Sequence, residues 1–193
     1  MNLHEIKNAQ DLSSALAAQG WPLNDIPVDI EKMATALGVT IDSRFEPRFQ
    51  DKIAAVEGKR IWISSYEGNE YTPLRRHIVA HELGHIVLHS PTAEPLHFTD
   101  TTGTLRGSVL NGMSPEEKAH EIAANEFAAE ILLPLDPLKE VVQKIPNMEQ
   151  LSTERVLAKI AEHFDVPLSL VSLRIDVLAR QDRSESTASV QRS

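Results

Sequence analysis

No cysteine occurs among the 193 residues, which excludes disulfides, a thiolate nucleophile, iron–sulfur clusters and Cys-based zinc knuckles. Aromatic residues are scarce, at 5%. Basic charge is in deficit. The 19 Lys+Arg against 28 Asp+Glu leave a formal charge of −9, which argues against a general phosphate-backbone binder that needs a basic face. No uninterrupted apolar run approaches the ~20 residues of a membrane span, so no membrane is expected as a partner. The opening Met1-Asn2-Leu3-His4-Glu5-Ile6-Lys7 lacks both a basic n-region and an apolar h-region. No signal peptide is therefore expected, and the expected location is cytoplasmic. What is present is ordinary globular composition, 41% apolar and 24% charged, in a length sufficient for one cored domain with a small appendage. The histidines are unevenly placed: six of the eight fall between His77 and His120.

Residues 29–37 carry apolar side chains at helical spacing and end at Gly38, a natural C-cap. Val39 and Ile41 alternate with polar neighbours as a strand does. Residues 53–64 read as a hairpin turning at Glu57-Gly58. A long, largely buried helix is predicted over 72–89. Residues 90–113, rich in Thr, Pro, Gly and Ser, form the longest irregular stretch. Ser114-Pro115-Glu116-Glu117 then supplies an N-cap Ser, Pro at the first helical position and Glu at the capping-box position. That helix is predicted to run to about Leu133, where Pro134 stops it. A shorter helix capped by Asp136-Pro137 through about Lys144 follows, then helices over 153–164 and 167–179. The expected division is an N-terminal segment (1–24), a main domain (25–145), a helical subdomain (146–180) and a disordered tail (181–193).

His81-Glu82-Leu83-Gly84-His85 has the H-E-x-x-H pattern. On a helix, residues i and i+4 share a face, so both imidazoles can reach one ion, and Glu82 can hydrogen-bond its water without ligating. Alone the pattern is weak, because two surface histidines flanking a solvated Glu satisfy it equally. The apolar flanks Ile78-Val79-Ala80 and Ile86-Val87-Leu88 instead suit a helix buried beneath a cleft. His77, His81, His85 and His89 form an i+4 ladder, and only the His81–His85 register has a carboxylate directly after its first histidine. His89 lies eight residues from His81, about 12 Å along a helix, too far to share an ion with both. It reads better as a last-turn residue interacting with helix-end carbonyls.

A third ligand is available downstream. Ala124, Phe127, Ala128, Ile131 and Leu132 form a stripe able to pack on the first helix, and Glu121 and Asn125 share an adjoining face. Glu121 could complete a two-His, one-Glu site with a position open for water, and Asn125 could orient His81 or Glu121. Glu117 and His120 are rivals. Capping already explains Glu117, and Glu121 fits a gluzincin-type site better than His120 does. A metal held there lowers the pKa of its water from 15.7 to about 7, leaving Glu82 to take the proton. No oxyanion-stabilising group is identified; Tyr66, Tyr71 and Arg76 are candidates that also have structural readings.

His81-Glu-Leu-Gly-His85-Ile-Val-Leu-His89, followed by Glu121-x-x-Ala-Asn125-x-Phe-Ala-x-x-x-Leu-Leu-Pro134, resembles the ImmA/IrrE family of metallo-endopeptidases. The likeness extends to Arg76 and covers roughly residues 25 to 180. It implies Glu121 as third ligand, Glu82 as catalytic base, and Zn²⁺ as cofactor with Mn²⁺ as the alternative. Ala123 stands where the family typically has an acidic residue, and His77 where it often has Phe. The expected fold is α+β and zincin-like: a small, mostly antiparallel sheet packed on the active-site helix, with a helical C-terminal subdomain. The implied function is a cytoplasmic, site-specific endopeptidase that cleaves a helix-turn-helix repressor encoded nearby, derepressing stress, phage or mobile-element genes.

Two other readings act through binding. Residues 157–174 resemble a helix-turn-helix, but the would-be reading helix offers only Arg174 and then Arg180, crowded by Leu168, Leu170, Val171 and Leu173. Base recognition needs several polar or basic side chains facing the groove, so direct DNA binding is not expected. A proteolytically silent member of a toxin–antitoxin pair is the other, and the intact Glu82 argues against it.

Overall fold

The computed structural model describes residues 5–22, 25–43, 53–63, 72–89, 98–99 and 113–190. The first helix, α1 (Ala9–Ala17), starts at Asn8, whose side chain accepts a hydrogen bond from the Asp11 amide. Its Leu12 and Leu16, one turn apart, are buried in the main core, so the N-terminal segment contributes packing that its sequence reading did not bring out. Helix α2 (Ile30–Ala36) is capped by Asp29 and terminated at Gly38, whose φ of +74° is the left-handed value that glycine adopts most cheaply.

Three short strands follow: β1 (Thr40–Asp42), β2 (Ala54–Glu57) and β3 (Arg60–Ile63). β2 and β3 form the expected hairpin, but its turn lies one residue later than Glu57-Gly58: Glu57 is still in β2 opposite Arg60, and Gly58-Lys59 make the two-residue turn. β1 pairs parallel with β3, and β4 (Phe98–Thr99) pairs antiparallel with β2, giving the order β1-β3-β2-β4. The sheet is therefore small and mostly antiparallel, and the fold is α+β as expected. Period-2 alternation sorts its side chains. Ala54, Val56, Ile61 and Ile63 join the main core, whereas Ala55 and Trp62 form a small cluster on the opposite face. Arg60 lies over the Trp62 ring at 5.1 Å. Apart from 98–99 and Met113, the stretch 90–113 lies outside the described residues.

Helix α3 (Pro73–Leu88) is the centre of the molecule. Thr72 caps it, Pro73 occupies its first turn, and every residue from Arg75 to Val87 is buried. It packs on β2 and β3, on α2, and on α4 (Pro115–Leu132). α4 begins with the full capping box: the Glu117 amide donates to Ser114 Oγ, and the Ser114 amide donates to Glu117 Oε2 at 2.7 Å. Helix α5 (Leu135–Gln143) starts two residues earlier than a cap at Asp136 suggests, with Pro134 at its N-cap and no side-chain cap. One proline thus ends α4 and begins α5.

Helix α6 (Thr153–Phe164) matches its predicted bounds, capped by Ser152 and ended by Asp165 in the left-handed region. Helix α7 (Leu168–Val190) runs past the end predicted at Ala179, into residues expected to be disordered. Loss of apolar periodicity reports loss of burial, not loss of helix. The backbone bonds of a helix are internal, and Gln, Arg, Glu and Ala in this stretch sustain it. Among the described residues, no helix is long and apolar enough to cross a membrane.

A candidate metal centre between two buried helices

Gly84 sets how close α3 and α4 come. A Cβ there would lie 3.2 Å from both the Cα and the carbonyl oxygen of Ala124, and 3.1 Å from the Phe127 ring. Any larger residue would wedge the helices apart. At this spacing the antiparallel pair lays Glu121 against His85 and Asn125 against His81. The signal for this approach was available in the sequence as a glycine inside a helix, facing an Ala-rich stripe, but its role was not recognised there.

The side chains converge tightly. Nε2 of His81 and Nε2 of His85 are 3.1 Å apart, and the Glu121 carboxylate reaches them at 3.3 and 3.2 Å respectively. All three residues are buried, and their donor atoms form the one group of this kind among the described residues. Tetrahedral ligands at the ~2.0–2.1 Å of zinc–nitrogen and zinc–oxygen bonds stand about 3.3–3.4 Å from each other. The triangle has the size of three ligands around one ion.

The hydrogen bonds behind the triangle fix its chemistry. Asn125 Nδ2 donates to the Glu121 carbonyl at 3.0 Å, which turns its Oδ1 toward His81 Nδ1, 3.1 Å away. An amide oxygen can only accept, so His81 carries a proton on Nδ1, and Nε2 presents its lone pair inward unless it too is protonated. Burial opposes a charge on His81. The hydrogen bond to Glu121, the charges of Glu82 and Glu121, and Asn125 together outweigh it and hold its pKa above the ordinary value. Two imidazole nitrogens and a carboxylate converging in the interior are a donor set that fits a metal. Glu82, fully buried, is near enough for its charge to act on His81.

The sequence profile of peptidase family M78, described as the IrrE N-terminal-like domain, matches residues 42–176. The chain belongs to this metallopeptidase family. The family read from the two-part motif is thus borne out, and the matched span contains β2, β3, α3, α4 and α6. No curated protein matches the chain.

Within this M78 framework the remaining candidates fall into place. Glu117 is occupied by the capping box. Arg76 does not face a substrate: its guanidinium donates to the Val28 and Asp165 carbonyls, both at 2.9 Å, tying α3 to the α2 approach and the α6–α7 corner. Tyr66 and Tyr71 lie outside the described residues. Arg174 is buried, donating to the Leu133 carbonyl at 3.1 Å, and is unavailable to a nucleic-acid groove. Burial lowers its pKa, with Glu130 acting in the opposite direction. His77 is also buried; burial, reinforced by the charge on His81 and opposed by a hydrogen bond with Asn125, brings its pKa down to about 3. Its Nε2 has no hydrogen-bond partner among the described residues. The side chain of His89, expected at helix-end carbonyls, turns instead toward His85, with Nδ1 atoms 3.1 Å apart.

Proposed function

We propose that this M78 peptidase is a zinc-dependent, site-specific endopeptidase, with Mn²⁺ as the alternative metal, that cleaves a helix-turn-helix repressor encoded nearby. The observation that carries the reading is the buried triangle of His81, His85 and Glu121, with separations of 3.1–3.3 Å, beside the buried Glu82. His81, His85 and Glu121 hold the metal, and Asn125 keeps His81 in the tautomer that ligates through Nε2. When bound, the ion supplies Lewis acidity and brings the pKa of a water to about 7. Glu82 takes a proton from the attacking water and returns it to the leaving amine, so one water is consumed per peptide bond cut. Burial of the carboxylate beside its partner ligand excludes bulk solvent from that transfer.

Repressor cleavage in the cytoplasm would derepress stress, phage or mobile-element genes, as the family resemblance implies. The test is to incubate the protein with the repressor encoded beside it, with Zn²⁺, with Mn²⁺ and with chelator. A single metal-dependent cut is expected, slowed by about 10²–10⁴-fold in Glu82→Gln. Equal cutting by Glu82→Gln would overturn the mechanism, and an intact repressor in every metal would overturn the substrate.

A further inference from the structure

The two imidazoles of the triangle are held from behind by different chemistry. An amide oxygen from α4 meets His81 Nδ1, whereas an imidazole meets His85 Nδ1: His89 Nδ1, one turn on, at 3.1 Å. Two ring nitrogens that close must share one proton, with one donating and the other accepting. His85 can ligate through Nε2 only with its lone pair there, which places its proton on Nδ1. His89 Nδ1 is then the acceptor, and the His89 proton sits on Nε2.

The acceptor is itself braced. The His120 ring stacks on the His89 ring with centroids 4.1 Å apart and planes inclined by 26°. His120 is the neighbour of Glu121 on α4, so the helix that supplies the third donor also clamps the group behind the second. His89 is the C-cap residue of α3.

We infer that His89 is a positioning residue: it accepts the Nδ1 proton of His85, fixes that imidazole's tautomer and plane, and is held in place by stacking on His120. This rests on the reading that His81, His85 and Glu121 hold a metal. A basic imidazole acceptor strengthens His85 as a donor more than a backbone carbonyl would, and groups in this position typically contribute 10–100-fold to metal affinity.

The experiment measures Zn²⁺ and Co²⁺ affinity of the full chain by competition with a chromophoric chelator, together with the Co²⁺ absorption spectrum and thermal unfolding without metal. His89→Ala is expected to weaken binding 10–100-fold. His89→Gln, which restores an accepting oxygen, is expected to recover most of the loss. His120→Phe, which preserves the stack, should bind as the wild type does, whereas His120→Ala should lie between. Wild-type affinity in His89→Ala, or equal loss in His89→Ala and His89→Gln with unchanged unfolding, overturns the inference while leaving the metal centre standing. Absence of binding by the wild type overturns the metal centre and this inference with it.

Discussion

Helices α3 and α6 are both well capped, yet they use burial in opposite ways. α6 turns one narrow stripe inward, burying Ile160 and Phe164 while most of its other residues remain at least partly exposed. α3 is buried on all sides from Arg75 to Val87, and that stretch includes six ionisable side chains, Arg75, Arg76, His77, His81, Glu82 and His85. A supporting helix needs only an apolar face. A helix that keeps His81, Glu82 and His85 in the interior must find each a partner or pay several kcal/mol for an isolated charge. Glu121 and Asn125 of α4 partner the two histidines, and the result is a site rather than a support.

That contrast is sharpest where the two helices are weakened separately. Phe164→Ala should cost about 3–5 kcal/mol of stability, read by denaturant unfolding, yet leave Zn²⁺ affinity at its wild-type value under folded conditions. A parallel loss of metal would show that α6 belongs to the site. Glu121→Ala should do the reverse, lowering metal affinity by about 100-fold or more while circular dichroism still shows a folded chain. Retained affinity would return Glu117 or His120 to contention.

Gly84→Ala joins the two effects, because it wedges the helices that carry the donors. A loss of about 1–3 kcal/mol of stability is expected together with weaker metal binding. If stability falls and affinity does not, helix spacing does not set the triangle.

His77→Phe has the smallest expected effect and tests the cost of burying a histidine in α3. The native His77 pKa, about 3, lies below the 6.5 of the unfolded chain. The unfolded state therefore takes up the proton first, and stability falls as pH drops from about 6.5 toward 3. His81, with its pKa raised, contributes with the opposite sign. Comparing His77→Phe with wild type isolates the His77 contribution. In metal-free protein the variant should lose about 1–2 kcal/mol less than wild type between pH 7 and 5. Parallel pH–stability curves would show that His77 is not the acid-sensitive group.

Much of this was legible in the chain because it is written locally. The capping box at Ser114, the glycine after α2, the β2–β3 hairpin (though not the register of its turn) and the bounds of α6 each depend on residues a few positions apart. Helix α1 carried the same kind of signal in Asn8, Leu12 and Leu16, but its burial depends on α4, more than a hundred residues later in the sequence. The parallel pairing of β1 with β3 was likewise unreadable, since no local pattern specifies which strand a third one joins. Arg174 illustrates the opposite error. The sequence offered it as one of two basic residues on a would-be reading helix, and only the nearby Leu133 carbonyl shows why its guanidinium lies inside.

The sequence by itself determined the family, the H-E-x-x-H helix, the oxygen and nitrogen character of any metal site in a chain without cysteine, and a short set of third-ligand candidates. Tertiary structure brings one of them, Glu121, within reach of both histidines. Glu117, His120 and Glu121 are neighbours on one helix, and helical spacing alone does not say which faces His81 and His85. The close contact of Gly84 with Ala124 fixes the offset of α3 against α4, bringing the Glu121 carboxylate into the triangle and leaving His120 stacked on His89. Ligand geometry is a property of two helices packed at one distance, and neither helix carries that distance in its own sequence.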